Sequence, residues 1–209
     1  MHNQRPLHHL PQLLSSSGSN IASLALRLYL APIFWMAGMN KLNAFDNTVD
    51  WFGNSDWGLG LPCPWLLACL ATAAELIGAV LLTLGLFTRL ISIPLIITML
   101  IAIVCVHWDN GWQAIADASA PFANAQVLAA PEKLARARDI LQTHGNYEWL
   151  TASGKFVILN NGIEFATTYL IMLLALMGLG GGKYHSLDYW LNPYIERKLF
   201  PLKTVSLNS

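Results

Sequence analysis

The chain has 209 residues, 55% of them hydrophobic and only 11% charged, with a mean hydropathy of +0.45, whereas a soluble domain carries about 25% charged residues. Twelve Lys and Arg balance twelve Asp and Glu, so no global field points to nucleic acid as a partner. Three cysteines without a C-x-x-C pair exclude a disulfide framework. The composition is that of a membrane protein, and its first partner is the lipid bilayer.

Residues 1–20 read as a polar, Ser-rich N-terminal tail. The apolar run begins late and lacks an A-x-A site, so the tail is not expected to be a cleavable signal. His8 and His9 are a weak compositional cue for metal.

Four apolar runs follow, at about 21–39, 64–87, 90–108 and 162–182. At 1.5 Å per residue each is long enough for a tilted crossing. The spacing predicts an all-α membrane protein, an antiparallel four-transmembrane-helix bundle occupying 21–190. A C-terminal tail, 191–209, completes the chain.

Lys and Arg next to span ends set orientation. Arg5, Arg27, Arg89, Lys183, Arg197, Lys198 and Lys203 fall on one side if both termini share it, which predicts cytoplasmic termini in a bacterial-type plasma (inner) membrane. Six tryptophans (Trp51, Trp57, Trp65, Trp108, Trp112 and Trp149) then belong to the opposite, outer face, where indoles favour the interface.

The two outer connections are too rich in structure-forming residues to be plain linkers. Residues 50–65, DWFGNSDWGLGLPCPW, are full of Gly, Pro and Trp. The insert 109–161 is expected to hold a helix from Pro131 to His144, with proline in the first turn and Gly145 just past the end. Leu134, Ala137 and Leu141 fall on one side of it, away from Lys133, Arg136 and Asp139. Together these pieces predict a partly helical outer cap.

Glu75 sits inside the second run, where a carboxylate costs roughly 2.5–3.5 kcal/mol and must face protein or water. Ala71, Gly78 and Ala79 share its face, a small-residue stripe of the kind along which membrane helices approach. Span one repeats the pattern with Arg27, Ala31, Phe34, Gly38 and Lys41, and span four with Glu164, Thr168, Ala175, Gly178 and Gly182. His107 closes span three, on the face of Ile96, Leu100 and Ile103.

These residues carry the candidate chemistry. Glu75 and Glu164, with His107 and Lys41, are candidates for a polar pocket that binds a small ligand or relays protons, since burial tunes carboxylate and imidazole toward neutrality. The bland reading stays open: Glu75 and His107 could only fix helix register, and Lys41 could snorkel to the surface. Arg27 and Asp188 are candidates for a structural ion pair. Cys63, Cys105 and His107 are weak candidates for copper or another metal, although their spacing matches no structural site. No phosphate loop, nucleophile elbow or dinucleotide fingerprint occurs.

Three stretches carry a family resemblance. LALRLYLAPIFWMAGMNKL, with Arg27, Gly38 and Lys41, resembles the first span of the DoxX family of small membrane proteins. AAELIGAVLLTLGLFTRL, with Glu75, Gly78, Gly85 and Arg89, resembles its second span and turn. NGIEFATTYLIMLLALMGLGGGKYHSLDYWL, with Ser186-Leu187-Asp188, resembles its fourth. The long insert, beginning HWDNGWQAIADASAPFAN, is similar to a subgroup found beside genes for metal-binding modified peptides.

The resemblance implies an accessory subunit of a redox, quinone-linked or detoxification system, because the family is named for a subunit of a thiosulfate:quinone oxidoreductase. Quinone is the cofactor that goes with that reading, and a redox subunit or a modified-peptide system the partner. A second reading is a transporter or binding protein for a small molecule, metal or peptide. A third is a scaffold without chemistry. An oligomer is compatible with all three, and nothing in the chain supports independent electron transfer.

Overall fold

A computed structural model of the chain describes residues 9–191, with side chains from residue 17 onward. The His8–His9 cue, Arg5 and the cations of the C-terminal tail lie outside those described side chains. The fold is all-α. Helices α1 (His9–Asn43), α2 (Phe45–Gly53), α3 (Pro64–Leu84) and α4 (Thr88–Ile101) come first. A π-helical turn (Ala102–His107) and a 3-10 turn (Trp108–Asn110) extend α4, and α5 (Ala125–His144), α6 (Tyr147–Thr151) and α7 (Glu164–Leu179) follow.

Three helical stretches are long and apolar enough to cross a membrane: Ser17–Asn43, Pro64–Leu84 and Thr88–Asn110. The fourth apolar helix, Glu164–Leu179, is shorter, at 16 residues. Helix α1 begins at His9, so much of the stretch read as a tail is helical.

The chain forms two compact units, one from residues up to Ile97 together with those from Met172 onward, the other from Thr98–Ile171. In the first unit, α1 and α3 run antiparallel: Lys41 lies against Glu75 and Arg27 against Leu82. Their buried faces are the ones that helical spacing selects. Ser23, Arg27, Leu30, Ala31 and Phe34 line α1, and Ala68, Thr72, Glu75, Gly78, Ala79 and Leu82 line α3. The small residues permit the approach. A Cβ at Gly38 would stand 2.7 Å from Leu76 Cγ and 3.2 Å from Glu75 Cβ, so only glycine fits at that crossing.

Pro64 opens α3 in its first turn, where a missing N–H costs nothing. The helix closes on a Schellman motif: Leu86 N–H donates to Leu81 O and Gly85 N–H to Leu82 O. Gly85 takes φ +61° there, which a side chain resists by about 1–2 kcal/mol. Helix α4 buries Thr88, Ser92, Leu95 and, beyond it, Ile103. Leu100, placed with His107 by spacing, is 45% exposed instead.

Helix α7 overturns one expectation. Ala166, Leu173 and Leu176 are its buried residues, while Thr168, Ala175 and Gly178 are exposed. Leucines on the other face fill more volume than the small stripe can, and they take the core side.

The second unit contains the insert. Helix α5 starts at Ala125, six residues before Pro131, because Asn124 caps it by accepting Val127 N–H at 2.9 Å. Pro131 lies inside the helix, and Gly145 follows its end as expected. Val127 and Ala130 are buried, Leu134 and Leu141 half-buried and Ala137 exposed, so the apolar side is shifted from the one expected. Asn124→Ala is expected to lower stability by about 1 kcal/mol, seen as earlier thermal loss of α5 ellipticity, since it removes that cap.

Candidate functional site

In the first unit the polar centre is one ion pair. Lys41 Nζ donates to both carboxylate oxygens of Glu75, each at 2.8 Å. The Glu75 side chain is 4% exposed and that of Lys41 25%. Glu75 is the twelfth residue of a 21-residue apolar helix, and Lys41 sits in the last turn of α1. The long lysine stem lets a charge near a helix end reach a carboxylate near a helix centre. Lys41 therefore does not snorkel to solvent; its ammonium turns inward. Three residues before Glu75 on the same face, Thr72 Oγ1 is buried without a hydrogen-bond partner.

A second polar knot ties the α3–α4 turn to the Gly-rich turn after α7. Arg27, fully buried, donates from Nη1 to Leu82 O and His185 O and from Nη2 to Tyr184 O, at 2.7–3.1 Å. Its positive charge meets carbonyls near the C-terminus of α3, where the helix dipole favours a cation.

Asp188 was expected to pair with Arg27 but has other work. Its two oxygens accept Phe87 N–H at 2.6 Å and Thr88 N–H at 3.0 Å, capping α4 from a hundred residues away. The clasp exists, but it runs through backbone rather than an Arg–Asp contact. Around it, Ser186 Oγ donates to Gly85 O and Ser23 Oγ to Gly180 O, and Arg89 Nη2 donates to Gly178 O. Gly85→Ala puts a methyl into both the Arg27 guanidinium and the Ser186 backbone. We expect it to lower the unfolding midpoint in detergent by several degrees, about 2 kcal/mol.

In the second unit, Glu164 and His107 anchor a knot of loops. Glu164 Oε2 accepts Ala114 N–H at 2.9 Å. His107 Nδ1 lies 2.9 Å from Asn161 O; a carbonyl only accepts, so Nδ1 carries a proton. Asn110 O accepts from the amides of both Asn124 and Asn160, and Asn160 also reaches Gln113 O. Gln113, 5% exposed, holds Asp117 by its backbone N–H and C=O. Spacing along the chain does not reveal the Asn160 bonds, which join segments about fifty residues apart.

Trp112, Gln113, Asp117, Glu164 and Phe165 help to line a cavity of about 450 Å³ in this unit. The Asp117 carboxylate accepts from Ser119 Oγ at 2.6 Å and Ser119 N–H at 2.9 Å. Those bonds hold its carboxyl below the usual aspartate range.

Lys41 and Glu75 thus belong to one unit, His107 and Glu164 to the other. The metal candidates do not come together as a set: among the described residues no three His, Cys, Asp or Glu side chains form a group able to hold an ion. Cys63 is an exposed left-handed residue before α3, and Cys105 is exposed in the π-turn.

The apolar helices and their internally satisfied charges define a multi-pass, all-α membrane protein. Residues 22–108 match the model of the DoxX family, a stretch that includes the first two spans. The match ends within the third apolar stretch, so α7 and the whole insert 109–161 lie beyond it. The chain is similar to "Putative oxidoreductase CatD" of Bacillus subtilis (strain 168), 35% identical over 86 residues, 41% of this chain and 60% of the relative. It is also similar to "Inner membrane protein YphA" of Escherichia coli (strain K12), 34% identical over 94 residues, 44% of this chain and 64% of that protein. The chain thus spans under two thirds of the length of either relative. No solved structure matches it.

Proposed function

We propose that the chain is a membrane-embedded accessory component of an oxidoreductase system, with the Lys41–Glu75 pair as its polar working site. The observation that carries this reading is a bidentate ion pair in the middle of an apolar helix. Replacing such a pair with apolar side chains is often neutral or stabilising, so stability alone is a weak reason to keep it. Charges at that depth serve ion, proton or ligand pathways by default. The relatives' names, an oxidoreductase and an inner membrane protein, favour the redox reading and an inner-membrane location.

A quinone head group requires donors for its carbonyls, and the residues here fit that need. The Lys41 side chain is one quarter exposed, and the Thr72 hydroxyl on the same face as Glu75 is buried without a partner among the described residues. A bound quinone would supply the two-electron chemistry, with electrons arriving from a partner protein. Lys41 would be the donor that orients a carbonyl, and the Glu75 carboxylate, whose two oxygens now accept from Lys41, would relay protons taken from water, two for each quinone reduced.

Arg27 and Arg89 gather at the end of the unit that carries the α3–α4 turn, which supports placing that end in the cytoplasm. The test is the rate at which the protein, purified with its partner, reduces a short-chain quinone. Glu75→Gln should lower it by about 100-fold or more, the usual scale for loss of a proton-transfer group. An unchanged rate at equal protein level rejects the reading. Stabilisation of the protein alone by a small ligand would instead favour a binding or transport role.

A further inference from the structure

The cavity of about 450 Å³ in the second unit is not used by the reading above. It lies within the 300–1,000 Å³ range of small-molecule sites. Two carboxylates line it, those of Asp117 and Glu164, and no Lys or Arg does. Each keeps one oxygen without a recorded hydrogen bond: Asp117 uses Oδ1 for Ser119 and Glu164 uses Oε2 for Ala114. Two aromatic rings, Trp112 and Phe165, also line it; both are exposed, as is Asp117, so the cavity opens to the surface on that side. Phe165 is stacked on Tyr169 with centroids 6.4 Å apart, which fixes its orientation.

Anionic oxygens beside aromatic faces are the recognition chemistry of an ammonium group: the carboxylates meet the charge, and the rings add cation–π attraction. A bare divalent cation fits less well. Calcium takes six to eight oxygens, and the described residues hold no group of three metal-binding side chains.

The lining is also held in place. Gln113, almost fully buried, bonds both the N–H and the C=O of Asp117. Glu164 is tied to Ala114 by its side chain and to Trp112 O by its own N–H. The site is therefore built before a ligand arrives, which limits the ordering cost of binding.

We infer that this cavity, walled by Trp112, Phe165, Asp117 and Glu164, is a binding site for an organic ammonium group. Two sources carry that chemistry, a soluble amine or an ethanolamine-type lipid headgroup. The inference is independent of the Lys41–Glu75 reading, since none of these residues belongs to that pair.

The experiment uses the full chain in phosphatidylglycerol nanodiscs, titrated with ethanolamine and with tetramethylammonium by calorimetry. In parallel, the protein is extracted from mixed phosphatidylethanolamine–phosphatidylglycerol bilayers and its retained lipid identified by native mass spectrometry. Saturable binding of a soluble ammonium, or selective retention of phosphatidylethanolamine, is the expected result, and which of the two occurs identifies the source. Asp117→Asn keeps an oxygen for Ser119 while removing the charge, and should weaken binding about five-fold, as should Trp112→Leu; Glu75→Gln should not alter it. Absence of any ammonium binding or headgroup preference overturns the inference. So does binding that Asp117→Asn and Trp112→Leu leave unchanged while both variants melt like the parent.

Discussion

Lys41→Met will lower the thermal unfolding midpoint in detergent by roughly 10 °C, or about 3–5 kcal/mol. The substitution keeps most of the stem's volume and removes the only charge that holds Glu75, whose side chain is 4% exposed. An uncompensated, buried carboxylate is then left in the α1–α3 seam, where a Cβ at Gly38 would already stand 3.2 Å from Glu75 Cβ. Glu75→Met should be milder, because Lys41 is one quarter exposed and can straighten toward water. The double variant Lys41→Met/Glu75→Met should recover most of the loss, since apolar replacements of a buried pair are near neutral. Additive losses in that cycle, measured by thermal melting, would show that the two charges do not depend on one another. The cycle also separates roles: a double variant that is stable yet inactive assigns the pair to function.

Arg27→Met should cost a similar amount, about 3–5 kcal/mol, and its effect should be local. Three carbonyls, those of Leu82, Tyr184 and His185, lose a charged donor at once. Hydrogen exchange followed by mass spectrometry should show faster exchange in the 180–188 turn, with the centre of α3 protected as before. Arg27→Lys should give an intermediate result, since an ammonium lacks the planar fork that reaches carbonyls from two segments. Equal exchange in Arg27→Met and the parent would mean that the serines and Asp188 hold the turn without it.

Periodicity revealed the part of the fold that repeats along a helix. The Arg27–Ala31–Phe34–Gly38 stripe, ending at half-buried Lys41, and the Glu75–Gly78–Ala79 stripe face the core, because small residues and one-sided charge leave a four-residue signature. The same signature misled in α7, where Ala175 and Gly178 look like an interface but Leu173 and Leu176 form it. Small residues permit close approach without requiring it. Pro131 misled differently: it marks a helix start only when no better cap precedes it, and Asn124 does.

Arg27 and Asp188 meet the same turns through backbone carbonyls and amides, partners that sequence spacing does not reveal. The Asn110–Gln113–Asn160–Glu164 network was beyond reach for a plainer reason. Its bonds join residues about fifty apart, and no local pattern encodes such a meeting.

The π-turn at Ala102–His107 gives His107 a position that an unbroken α-helix could not. A π-turn takes one residue more than an α-turn, so it amounts to an insertion absorbed inside a helix without breaking it. Each residue of an α-helix advances about 100°. Deleting Val104, one exposed residue of that turn, would remove the extra residue and keep later side chains on their present faces, whereas drawing the turn into a regular α-helix with every residue kept would swing them by about that angle. In the second case His107 would lose Asn161 O, and Asn110 would leave the two amides it now gathers. The loops of the second unit are in this sense set by a counting offset in the helix that enters them, one extra residue that the π-turn takes up.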